Sequence, residues 1–266
     1  LPTAPMTLTR SSLFSRLLPS LPEGKILDLH MGLYWTAVLA EVNGETRCGL
    51  AATLGDDSHH YTSDPAVARA GHLTELSARE LAEYVHSPHP PEVSLGLAAV
   101  NALIPPRPDL WSDLHSKEVL ARLGRDKTVV MVGHFPYVPE LRPKVGHLLV
   151  LEQNPQDAED IPAARAPEII PQADVLAITA MTLLNRTFDD LIALRRPDVP
   201  MVIVGPTTPL TPILFEMGAV ILSGAVVERP KAVIRALKEG ANFHQLRPMG
   251  VRLVSMTADK NRLEDS

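Results

Sequence analysis

The chain has 266 residues, 45% of them hydrophobic and 21% charged. That is the composition of a folded globular protein of one large or two modest domains, and it excludes a disordered chain. With 31 acidic against 25 basic residues the net charge is −6, and aromatics are 4%, so neither a basic face for nucleic acid nor a stacking platform for single strands is expected.

The single cysteine, Cys48, excludes an internal disulfide and a cysteine zinc cage. No run of 18 apolar residues occurs, so no membrane span is expected. Leu1–Met6 lacks the charged stretch and long apolar core of a secretion signal, and a reducing cytoplasmic setting is the expectation. Proline is plentiful, 25 residues, which stiffens the loops.

In chain order, apolar spacing predicts a first helix over Thr9–Leu18 and a strand over Lys25–His30. Tyr34–Val42 and Glu45–Thr53 flank Asn43-Gly44, the strongest short hairpin signal. Asp56–Gly71 reads as a polar loop carrying His59-His60, solvated or metal-ligating. Ser77 and Glu80 form a capping box opening a helix to about Val85. Val93, Leu97, Val100 and Ile104 predict a helix over Pro91–Ile104. Ile104-Pro-Pro-Arg-Pro108 breaks it and reads as a linker, with a short helix over Ser116–Leu123 after it.

From Lys127 strands alternate with helices. Thr128–Val132, Leu148–Leu151, Val175–Ile178 and Met201–Val204 are short branched apolar runs of the kind buried on both faces of a parallel sheet, with Val220–Leu222 a candidate fifth. Thr187, Thr211-Pro212 and Pro230 open the intervening helices, and Gly218 and Gly240 close two of them. The fold class is therefore α/β with an open parallel sheet. The expected organisation is an α+β domain over 1–104, a linker with a short helix over 105–126, and an α/β domain over 127–266.

Ligands of such sheets sit beyond the carboxyl ends of the strands. That rule selects Gly133 and His134, Glu152 and Asn154, Thr179 with Asn185 and Thr187, and Gly205, Pro206, Thr207 and Thr208. Neutral imidazole is a common metal ligand, so His134 with the Glu152 carboxylate is a candidate metal pair; a histidine bonded to a local carbonyl is the alternative. Glu152 lies 19 residues after Gly133, near the offset of a ribose-binding acid, but the G-x-G-x-x-G fingerprint is missing. The Gly205–Pro209 turn offers N–H groups to an anion or simply caps a helix. Asn185 and Thr187 cap theirs or reach a ligand. Cys48 reads as a small buried hydrophobe.

Taken in order, Met31–Val38, Ser94–Ala102, Val132-Gly-His-Phe-Pro136, Thr179 through Asn185 to Thr187, and Val204–Leu210 with Leu222-Ser-Gly224 resemble the family described as putative heavy-metal chelation. The resemblance spans about Thr9 to Phe243. It implies an enolase N-terminal-like α+β domain followed by a Rossmann-like domain, with a site in the cleft between them that a dimer partner often completes. Its motif positions here are Gly133, His134, Glu152, Thr179, Asn185, Thr187, Gly205, Pro206 and Thr207. Ala180-Met181 departs from the glycine or small polar residue expected there, and Asn101 either secures the domain contact or reaches the cleft.

The resemblance implies that a divalent transition metal or a metal-bearing small molecule is bound, in metal handling or metallo-cofactor synthesis. The alternative is an enzyme acting on a small anionic metabolite with a nucleotide-like or S-adenosylmethionine-like ligand; a non-catalytic interaction protein is a third reading. A homodimer is expected, with no nucleic acid and no membrane as partner. The central spatial expectation is that the His134 imidazole and the Glu152 carboxylate are neighbours at one pocket mouth.

Overall fold

A computed structural model of the chain describes residues 12–55, 65–155 and 157–258. His59-His60 and the start of the predicted first helix lie outside them; within them that helix covers Leu13–Leu17. No helix among the described residues is long and apolar enough to cross a membrane.

Three antiparallel strands come first: β1 (Lys25–Met31), β2 (Trp35–Val42) and β3 (Glu45–Ala52). Val42 pairs with Glu45 across Asn43 (φ 54°) and Gly44 (φ 79°), the two positive φ angles that a tight hairpin matching strand twist requires. Ser77 and Glu80 bond reciprocally to free N–H groups and open the helix Ala78–Ala82. A 3-10 turn, Glu83–His86, follows it.

The helix Pro90–Leu103 lies across β2 and β3. Contact with β3 is so close that a Cβ on Gly49 would stand 2.0 Å from the Ala98 carbonyl oxygen. The helix was expected to bury one stripe. Instead every residue from Pro91 to Leu103 except Asn101 is buried, because the helix is apolar all round and is covered on several sides.

The remaining strands form one eight-stranded sheet in the order β4-β11-β10-β9-β8-β5-β6-β7. They are β4 (Trp111–Ser112), β5 (Thr128–Val132), β6 (His147–Glu152), β7 (Ile161–Pro162), β8 (Val175–Thr179), β9 (Met201–Val204), β10 (Ala219–Val227) and β11 (Val251–Thr257). The strands from β10 to β7 run parallel, whereas β11 and β4 add antiparallel pairings at one edge. Successive residues of β5 serve opposite faces. Val130 and Val132 join the core shared with the helix Pro90–Leu103, while Val129 and Met131 join the one under the helices Ser116–Leu123 and Val138–Leu141. A third core lies between the helix Pro230–Lys238 and the outer face of β2 and β3.

From β5 the chain goes first to β6 on one side and later to β8 on the other. The crevice between the carboxyl ends of β5 and β8 is therefore the topological switch point, where open α/β sheets take ligands.

Candidate functional site

At the end of β5 the chain must turn sharply between two neighbours. Gly133 does so at φ 97°, its N–H donating to the Leu151 carbonyl at 2.8 Å. A Cβ there would stand 2.9 Å from Thr179 Cγ2, so the β5 and β8 ends approach as closely as they do only with glycine.

The turn presents His134. Its backbone N–H donates to Glu152 Oε2 at 2.8 Å, and Glu152 Oε1 accepts from the Asn154 N–H at 3.1 Å. Glu152 thus clasps the two strand-end turns together. The imidazole has another partner: Nδ1 lies 2.9 and 3.0 Å from the two carboxylate oxygens of Asp160. The expected pairing of the His134 ring with the Glu152 carboxylate is replaced by this contact, and Glu152 meets His134 through the main chain.

Asp160 stands just before β7, and the pairing of Ile161 with Leu151 folds the loop after β6 back over His134. The Asp160 side chain is 0% exposed and that of His134 15%. A buried carboxylate is tolerated when its lone pairs are satisfied, here by the imidazole and by the Asp157 N–H at 3.2 Å. His134, Asp157 and Asp160 each bring one donor atom within 4.8 Å of the others. Asp157 is exposed, so the group has one solvent-facing member.

Beside it lies a cavity of about 490 Å³ into which Gly133, His134, Glu152, Thr179, Asn185 and Thr187 all face, over apolar walls that include Leu54, Leu151 and Leu191. Asn185 Oδ1 accepts from both Thr187 Oγ1 (2.7 Å) and the Thr187 N–H (3.2 Å). The Thr187 side chain makes no capping bond to the helix Phe188–Ala193 that follows it. Ala180 is buried and Met181 lines the cavity, so apolar side chains stand where a glycine or small polar residue was expected. Asn154 stays exposed at the border.

The other expected residues go elsewhere. Gly205 and Pro206 line a second cavity, of about 510 Å³. Thr207 Oγ1 accepts from the Ala52 N–H at 3.0 Å and its carbonyl from Asn101 Nδ2 at 3.0 Å, while Thr208 Oγ1 donates to the Gly205 carbonyl at 2.7 Å. These hydroxyls fasten the turn to β3 and to itself. Asn101 also donates to the Leu50 carbonyl at 2.9 Å and so secures the contact between the two sheets. Cys48 is half-buried; burial, then the Asp28 charge, pushes its thiol up to about 12.

Asp157 and Asp160 were missed by sequence reasoning. The available signal was the Asp157-Ala-Glu-Asp160 run ahead of Ile161-Pro162, beyond the carboxyl end of β6.

A family model described as putative heavy-metal chelation matches residues 117–256, and a second model of the same description matches residues 14–104. An uncharacterized protein of Methanocaldococcus jannaschii is 26% identical over 222 residues, 79% of this chain and 82% of that one. A protein of unknown function from Desulfitobacterium hafniense DCB-2 has a solved structure similar to this one, with a TM-score of 0.73, 24% identity and coverage of 92% of this chain and 96% of that one. One from Pyrococcus horikoshii gives a TM-score of 0.73 at 22% identity, covering 91% and 95%. Both solved structures come from the DUF364 family, and at these identities the likeness speaks for the fold.

Proposed function

This chain belongs to the DUF364 family, described as putative heavy-metal chelation, and from that membership we propose that it binds a divalent transition-metal ion through His134, Asp157 and Asp160. The observation that carries the reading is the convergence of one imidazole and two carboxylates within 4.8 Å.

The donor set fits such an ion. Imidazole nitrogen with carboxylate oxygen suits zinc, manganese, iron or nickel, and the two aspartates balance the charge of a divalent cation. Three protein donors leave coordination positions for water or a small molecule. The cavity of about 490 Å³ next to His134 offers room for one, so a metal-bearing small molecule falls within the same reading.

The test uses untagged full-length protein. Elemental analysis after purification and calorimetric titration with zinc, manganese and nickel should find about one ion per chain. His134→Ala and Asp157→Ala should each weaken binding at least tenfold. No metal after purification and no titration heat from any of the three ions would refute the reading.

A further inference from the structure

We propose that the second cavity, of about 510 Å³, binds a planar heteroaromatic ring carrying an amino group. Its walls belong to the other face of the large sheet from His134, on the side of the helices Ser116–Leu123 and Val138–Leu141. It sits beyond the carboxyl end of β9, where Gly205 lines it, and against the middle of β10, where Ser223 does. Its volume lies within the range of small-molecule pockets. Phe135 lines both cavities, so the turn that presents His134 on one side presents an aromatic ring on the other.

The wall is built for a flat apolar face. Phe135 and Tyr137 stack with centroids 5.4 Å apart and planes at 17°, and His115 meets Tyr137 edge-on at 5.7 Å and 84°. Leu253 adds further apolar surface. Aromatic walls of this kind can take a flat ring by offset stacking or edge-to-face contact.

The need for a donor group on the ring follows from proton bookkeeping. Ser255 Oγ donates to the Leu114 carbonyl at 2.7 Å. A hydroxyl has one hydrogen, so in the 2.9 Å contact between the two serines Ser223 is the donor and Ser255 the acceptor. Ser223 therefore meets the cavity with lone pairs only, and a ligand that bonds to it must bring a donor hydrogen, which an amino group on the ring supplies. This site is distinct from the ribose position anticipated for Glu152, which faces the first cavity, and it does not depend on the metal reading.

The experiment titrates untagged full-length protein with adenosine and 2-aminopyridine, and with purine riboside and pyridine as counterparts lacking the amino group, by calorimetry and ligand-observed NMR. Saturable binding of the amino compounds is expected, about fivefold to tenfold tighter than their counterparts. Ser223→Ala should erase that difference and leave purine riboside binding unchanged. Phe135→Leu should weaken all ligands about tenfold. Leu253→Trp, which fills the cavity from a half-exposed position, should abolish binding while circular dichroism shows a folded chain.

Binding should persist in His134→Ala, which separates this proposal from the metal site. Absence of saturable binding, equal affinity with and without the amino group, or loss of binding in His134→Ala would overturn it. So would light scattering showing that Leu253→Trp dissociates a dimer, because the occupant would then be a second copy of the chain.

Discussion

Replacing Asp160 by alanine is the sharpest perturbation of the candidate metal group. Its carboxylate is fully buried and receives the His134 Nδ1 through both oxygens and the Asp157 N–H. A hydrogen bond to a charged group contributes about 1.5–3 kcal/mol, and the stranded imidazole and N–H add a desolvation penalty. The expected loss is therefore roughly 2–4 kcal/mol, lowering the melting temperature by about 4–16 °C at roughly 2–4 °C per kcal/mol for a domain-sized chain. Asp160→Asn keeps an acceptor oxygen but loses the charge, and should retain about half of that stability while still weakening zinc at least tenfold. Glu159→Gln is the control: that side chain is an exposed partner of Arg142, and such surface pairs contribute about 0–1 kcal/mol. Thermal unfolding and zinc calorimetry on the three variants decide the matter. An Asp160→Ala protein that melts with the parent and binds zinc equally well would show that the buried contact neither holds the loop nor shapes the site.

Gly133→Ala should cost roughly 1–3 kcal/mol, combining a backbone held at φ 97° with a Cβ forced against Thr179; Gly240→Ala, at φ 81° with nothing within 4 Å, should cost less, and a comparison of melting curves checks the ranking. Asn101→Leu removes two donors to buried carbonyls, Leu50 and Thr207, and should lower stability by about 1–3 kcal/mol, read from the urea midpoint. The Cys48 thiol is raised by burial, then Asp28, from 9.0 to about 12, and burial raises the Tyr137 phenol from 10.0 to about 12. Both groups stay protonated in the native chain after they have ionised in the unfolded one, so their contributions are intact below pH 9 and are lost as pH climbs toward 12. Urea midpoints from pH 8 to 11 should fall, and Cys48→Ala should delay the fall; a flat profile would contradict the burial of both groups.

Local chemistry made much of the architecture legible. Met201–Val204, Thr128–Val132 and Ser116–Leu123 could be read to the residue, because a short branched run and a helix punctuated by glycine carry their own boundaries. The strands β4, β7 and β11 were not legible. Trp111–Ser112 and Ile161–Pro162 are two residues each, too short for periodicity, and exist only because a neighbouring strand edge is there to pair with. Val251–Thr257 alternates weakly and is fixed by its pairing with Ile221–Val227 of β10. The helix Pro90–Leu103 was legible as a helix but not as a buried one, since burial of its remaining faces depends on partners distant in sequence.

The candidate site divides in the same way. The sequence by itself determined that Gly133, His134, Glu152, Thr179, Asn185 and Thr187 stand at or just beyond strand ends, and parallel pairing then brings them around one cavity. Only the tertiary structure decided what each group touches: the imidazole of His134 goes to Asp160, Glu152 is spent on two main-chain N–H groups, and Thr207 and Thr208 fasten a turn. Strand position follows from near-neighbour patterns of apolar residues, whereas the partner of a polar side chain is settled by which loop folds back over it. That choice is made by long-range packing, which no short stretch of sequence encodes.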